Sequence, residues 1–269
     1  MHRLPVYFIG HGSPMNIIAE NDWTHAMARL RTKLPAGIES VLVISAHWLT
    51  DGTYVTCSET PRQIYDFFGF PDELYTVQYR PPGNPNLAQR IRDAFPSDSV
   101  LCDNRLKAPT EAEGDGKSRG LDHGSWAVLH HLFPEANVPV VQLSLNARLT
   151  FREHYKLGLE LRALRNEGVL IIGSGNIVHN LRAIDFMNEN APAYDWAEHF
   201  DATIATAIES NRELVTQPEA IESFQLAHPS YEHYLPLLYV VGAADGDSAH
   251  TIFEGIQNAS ISMRSVGFG

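Results

Sequence analysis

Val41-Leu42-Val43-Ile44-Ser45-Ala46-His47 opens with four β-branched or apolar residues in a row and ends on a histidine. A strand without polar alternation is buried on both faces, which is the habit of a sheet covered by helices on each side. The same reading extends outward to short runs at residues 6–9, 54–56, 138–143 and 169–172, each of ordinary strand length. Between them, residues 23–34, 86–95 and 151–166 carry helical spacing, the last closed by Glu167-Gly168. Trp196, Phe200, Ile204 and Ile208 recur every fourth residue and predict a helix over 196–208 with those side chains in the core. Runs of this kind alternating with helices predict an α/β layer architecture.

Composition bounds what such a fold would meet. The chain has 269 residues, 44% hydrophobic and 19% charged, an ordinary globular balance with no seam between domains. A formal charge of −12 disfavours nucleic acid, which is held by neutralising phosphates, and favours small-molecule partners. The apolar run at residues 6–10 is too short for a signal-peptide core or a membrane span, so no membrane association and a cytoplasmic location are expected. Cys57 and Cys102 form no CxxC pair; neither a disulfide framework nor a thiolate zinc site is expected, and a reducing cytosol fits. The polar, glycine-rich stretch 108–120 reads as a surface loop, either an active-site lid or an unrelated excursion, leading into Asp122-His123. Oligomeric state has no signature in the sequence.

Position matters more than number for the 13 histidines. Ligands of open α/β sheets bind beyond the carboxyl ends of the strands. His11 follows the run at 6–9, His47 follows 41–44, and His179 follows 169–172 by way of Gly173-Ser174-Gly175-Asn176. Three strands thus deliver three imidazoles to one rim, and imidazole suits Fe, Zn, Cu and Ni. Gly10, Gly12 and Ala46 leave room beside them. A further pair, His228 and His233, lies downstream, with His233 at the opening of a helix into Leu237 and Leu238. No HExxH, GxxxxGK[ST] or GxSxG occurs, which disfavours helix-borne metalloprotease, phosphate-loop and serine-nucleophile chemistry.

Five ordered motifs together resemble a known family: His11-Gly12-Ser13-Pro14-Met15-Asn16, Ser45-Ala46-His47-Trp48, Asp122-His123-Gly124-Ser125-Trp126, Gly173-Ser174-Gly175-Asn176 through His179-Asn180-Leu181, and Glu232-His233-Tyr234-Leu235-Pro236. They resemble the 4,5-DOPA extradiol dioxygenases of the class III extradiol ring-cleavage group, from residue 6 to Gly267. The resemblance implies a single domain over 1–269, of three-layer α/β/α build with a central mixed, mostly parallel sheet. It implies one non-haem divalent metal, Fe(II) or Zn(II), and a small aromatic diol with O2 as reactants. His11, His47 and His233 are the implied ligands, with Glu232 as alternative to His233. His179 is implied as a fourth ligand or as the acid/base, and His123 as a substrate-pocket residue able to act as acid/base.

Two other readings use the same residues. A zinc hydrolase would employ the strand-end histidines to activate water and would consume no O2. A non-catalytic metal-binding protein would leave His123 and His179 without duty. Trp48, Trp126 and Tyr234, each beside a motif histidine, are read either as a sandwich for an aromatic ring or as core.

Overall fold

The computed structural model describes residues 3–95, 100–103 and 120–269. The stretch at 108–120 read as a loop lies outside them, apart from Gly120. The strands among the described residues are β1 (Val6–Gly10), β2 (Ser40–Thr50), β3 (Thr53–Val55), β4 (Val100–Cys102), β5 (Val140–Asn146), β6 (Val169–Gly175), β7 (Ala249–Phe253), β8 (Ile256–Gln257), β9 (Ile261–Ser262) and β10 (Ser265–Phe268). The α-helices are α1 (Asp22–Arg31), α2 (Pro85–Ala94), α3 (His123–Leu132), α4 (Phe151–Leu161), α5 (Asp195–Ser210), α6 (Arg212–Val215), α7 (Phe224–Ala227) and α8 (Leu235–Ala244).

Eight strands form one sheet in the order β4-β3-β5-β2-β6-β1-β10-β7. Its centre, β5-β2-β6-β1, is parallel throughout, whereas β10 and β7 extend it antiparallel beyond β1 and β3 joins β5 antiparallel. Successive side chains point to opposite faces, and the sequence fills both. Val6, Phe8, Leu42, Ile44 and Ile171 join a core with α2, α5 and α8, while Tyr7, Ile9, Val41, Val43 and Ile172 join a second core with α1 and α3. The result is the three-layer α/β/α arrangement. Phe200, Ile204 and Ile208 are buried in the first core, as their spacing predicts.

Local chemistry sets the helix ends. Asn21 and Thr24 form a capping box at α1, and Thr150 and Glu153 form another at α4. Gly168 takes φ 73° where the helical stretch before β6 stops. Helix α8 is buried on every side because it lies between the sheet and α4, which is why its sequence is apolar all round.

The cysteine expectation is overturned: Cys57 and Cys102 form a disulfide, with Cα atoms 5.7 Å apart. Parallel pairing of β3 with β4 puts Val55 beside Cys102, and Cys57 follows two residues later. A separation of 45 residues hides that neighbourhood from the sequence. The pair therefore gives no argument for a reducing compartment. Among the described residues, no helix is long and apolar enough to cross a membrane.

Candidate metal centre

The carboxyl ends of β1, β2 and β6 lie side by side, with Ile9 and Ser45 both in register with Ser174. His11 follows β1 directly, and its backbone N–H donates to the Gly175 carbonyl at 3.1 Å. His47 lies beyond the last pair of β2 with β6, where the register with β5 slips between Ile44 and Leu49. An irregularity of that kind re-aims a side chain at a sheet rim. His179 stands past the end of β6, its N–H bonded to the Ala227 carbonyl at 2.9 Å.

The other two histidines arrive on helix openings. His123 starts α3, where the N-cap carboxylate of Asp122 accepts from the Ser125 N–H at 3.0 Å, the Ser45 hydroxyl at 2.7 Å and the Gln142 amide at 2.5 Å. His233 precedes α8, and its carbonyl accepts the Asn176 N–H at 2.9 Å. A side chain at Gly175 would collide with that same carbonyl, so glycine there lets residue 233 reach the sheet end.

All five rings form one cluster. Centroids of His11 and His47 are 5.0 Å apart, and His233 lies 5.4 Å from the first and 5.0 Å from the second. His123 is 3.9 Å from His47. His179 stacks on His233 at 3.5 Å with the ring planes 6° apart.

Hydrogen bonds fix the tautomers of His11 and His123. The Ser174 hydroxyl donates to the Gly124 carbonyl at 2.5 Å, so its oxygen must accept from His11 Nδ1, 2.9 Å away. His11 thus carries its hydrogen on Nδ1 and leaves Nε2 bare. Asp66 acts alike from another side: Oδ1 accepts from the His123 backbone N–H at 2.8 Å and from its Nδ1 at 3.0 Å, while Oδ2 faces His47 Nδ1 at 3.5 Å. Glu232 Oε1 stands 3.3 Å from His233 Nδ1 and takes the Ser230 hydroxyl at 3.0 Å.

Electrostatics favour neutral imidazoles at His11, His179 and His233. Burial first, then the nearby His47, His123 and His179, hold His11 well below the ordinary imidazole value. Burial and the neighbouring histidines do the same to His233 and bring His179 to about 3. Burial opposes ionisation of Asp66, yet the hydrogen bond from the His123 ring, followed by the charges of His123 and His47, keeps its carboxyl below the usual range.

These residues fit a divalent metal. The Nε2 atoms of His11 and His47 are 3.1 Å apart. Two lone pairs at that distance repel unless they share a cation or a proton, and metal–nitrogen bonds of about 2.0–2.1 Å put two neighbouring ligands roughly 3 Å apart. His233 Nε2 is buried with no hydrogen-bond partner, a state that costs about 1–3 kcal/mol unless something else satisfies it. Two groups of three close chelating side chains occur among the described residues, His11-His47-His123 and His179-Glu232-His233.

Over residues 2–269 the chain matches the family described as the catalytic LigB subunit of aromatic ring-opening dioxygenase. The chain belongs to the LigB family. It is 41% identical to the 4,5-DOPA dioxygenase extradiol of Escherichia coli K12, over 99% of this chain and 95% of that one. With a protein of the same name from Beta vulgaris it shares 38% identity, over 90% and 87%. A crystal structure of an uncharacterized protein from Escherichia coli K12 superposes with a TM-score of 0.82 at 36% identity, covering 99% of this chain and all of the other.

Membership in the LigB family makes the chain an extradiol aromatic ring-opening dioxygenase, a metal-dependent non-haem enzyme acting on an aromatic substrate and O2. The zinc-hydrolase reading falls with it. His11, His47, His123, His179 and His233, each singled out in the sequence, lie together in one cluster of rings. The aromatic sandwich does not form from the residues considered for it. Trp48 is buried, Trp126 donates to the Ile64 carbonyl at 2.9 Å, and Tyr234 donates to the Val215 carbonyl at 2.8 Å inside the first core. Asp66 and Ser174 were not anticipated as partners of the site histidines. The only sequence signals are a lone carboxylate in the aromatic stretch 64–70 and a serine between two glycines at a strand end.

Proposed function

We propose that the chain cleaves a catechol such as L-DOPA in the 4,5-extradiol sense, with residues 1–269 acting as one catalytic domain and His11, His47 and His233 holding the metal. The observation that carries the ligand assignment is the 3.1 Å approach of the His11 and His47 Nε2 atoms beside the His233 ring, whose centroid lies 5.4 and 5.0 Å from theirs and whose buried Nε2 has no hydrogen-bond partner. Glu232 then supports His233 through Nδ1 instead of binding the ion itself. The names of the relatives in Escherichia coli and Beta vulgaris support the substrate class. A bound divalent ion would supply a redox-active meeting point for diol and O2, which favours Fe(II) over Zn(II).

His179 serves as acid/base and not as a fourth ligand. An imidazole lone pair lies in its ring plane, and the His179 and His233 planes are nearly parallel and 3.5 Å apart. One ion does not lie in both. His179 therefore accepts a catechol hydroxyl proton and returns it as the ring opens, the role that suits a neutral imidazole. His123, its Nδ1 hydrogen committed to Asp66, presents Nε2 as an acceptor for the second substrate hydroxyl. The half-buried faces of His47 and His179 give the substrate its approach.

Metal content and turnover of two variants test these roles. His233→Ala is expected to purify with little metal, whereas His179→Gln retains metal and loses kcat by about 10²–10⁴-fold. Metal loss in the His179 variant with full retention in the His233 variant would reverse the assignment.

A further inference from the structure

Asp66 belongs to no helix or strand, yet its carboxylate joins two histidines that come from separate elements, His47 in β2 and His123 in α3. Its side chain is 18% exposed. The segment around it is anchored by aromatic groups: Trp126 Nε1 donates to the Ile64 carbonyl at 2.9 Å, the Tyr65 hydroxyl donates to the Val77 carbonyl at 2.7 Å, and the buried Phe67 meets His123 edge-on at 5.5 Å. An irregular stretch held in this way presents its carboxylate in a set position.

We propose that Asp66 is a positioning residue that holds His47 and His123 as one unit, so that metal retention and catechol binding depend on the same carboxylate. This rests on the extradiol reading given above. An ionised carboxylate only accepts hydrogen bonds, so it favours the Nδ1–H form of both rings. Oδ1 accepts from His123 Nδ1 and leaves that ring's Nε2 without hydrogen, while Oδ2 stands 3.5 Å from His47 Nδ1, where it favours the hydrogen on Nδ1 once Nε2 holds a cation, and the rings sit 3.9 Å apart. A carboxylate behind a metal-ligating histidine is a common arrangement that orients the ring and raises its basicity. Here the same carboxylate also holds a histidine outside the ligand set.

Asparagine at this position would keep an acceptor for the His123 N–H groups but place an amide N–H toward His47. Such a donor favours the form of His47 with its hydrogen on Nε2, the atom needed for metal. Asp66→Asn is therefore expected to bind Zn(II) about 10–100-fold more weakly in competition with a chromophoric chelator. At saturating Fe(II) its KM for catechol rises while its circular dichroism stays that of the wild type. Zn(II) affinity within a factor of about two of the wild type, where the method resolves tenfold changes, would overturn the proposal.

The wild type gives a second readout that requires no variant to fold. Nitrogen-15 NMR of the histidine rings in metal-free protein is expected to show Nδ1–H at His123, and Nε2–H there overturns the proposal. The two levels fail separately. A wild type that consumes no O2 with catechols refutes the extradiol reading even as Asp66→Asn weakens metal binding. Normal wild-type turnover beside an unchanged Asp66→Asn affinity refutes only the role of Asp66.

Discussion

Ser174→Ala removes one oxygen atom that touches no substrate, and its effect follows from the hydrogen-bond directions around it. The Ser174 hydroxyl donates to the Gly124 carbonyl and accepts from His11 Nδ1, and the residue is fully buried. Alanine leaves the His11 N–H without an acceptor where no water reaches, at a cost of about 1–3 kcal/mol. The ring escapes part of that cost by turning or by moving its hydrogen to Nε2, and either change takes the lone pair away from the His47 side. Loss of a group that orients a metal-binding histidine typically weakens metal affinity about 10–100-fold, or about 1.4–2.8 kcal/mol. Chelator competition with Zn(II) at constant pH measures this directly, and circular dichroism checks that the sheet is intact. Affinity equal to that of the wild type, in a folded variant, would refute the reasoning that Ser174 sets the His11 tautomer.

Two further outcomes follow from other positions. A Cβ at Gly124 would lie 2.6 Å from Ser45 Oγ and 2.9 Å from His47 Cδ2, so Gly124→Ala is expected to cost about 1–3 kcal/mol and to weaken metal binding. Urea unfolding paired with metal titration checks it, and an unperturbed variant contradicts the packing described. Away from the site, burial lowers His154 from 6.5 to about 4, so the folded protein keeps it neutral while the unfolded chain protonates it near the ordinary value. The stability it contributes is complete above about pH 6.5 and is lost as pH falls toward 4, up to about 3 kcal/mol. Urea titrations of the wild type and His154→Gln are expected to diverge across that window, and parallel curves would contradict the assignment.

The central strands were legible because residues 6–9, 41–44 and 169–172 are buried on both faces, and a continuous apolar run is the direct consequence of that environment. Their far neighbours were not. β10 is four residues including a glycine, and β7 is partly exposed, so neither carries an apolar run. Helix α3 was missed as a helix because it opens on His123-Gly124-Ser125, where glycine serves the close approach to β2 and weakens the helical signal. His11, His47 and His179 were readable from their place after apolar runs. His123 and His233 needed the resemblance of whole motifs, since the first opens its helix, the second precedes its own, and neither follows a strand. The partners that set tautomers, Asp66 and Ser174, and the Cys57–Cys102 bridge depend on which segments meet in space, and local sequence does not encode that.

The most direct test of the account is oxygen uptake by metal-stripped protein reloaded anaerobically with Fe(II), beside the same protein reloaded with Zn(II), on addition of L-DOPA and simpler catechols. Uptake by the Fe(II) form alone, with a yellow ring-opened product, is the result predicted. Iron-loaded protein that consumes no oxygen with any catechol would contradict it.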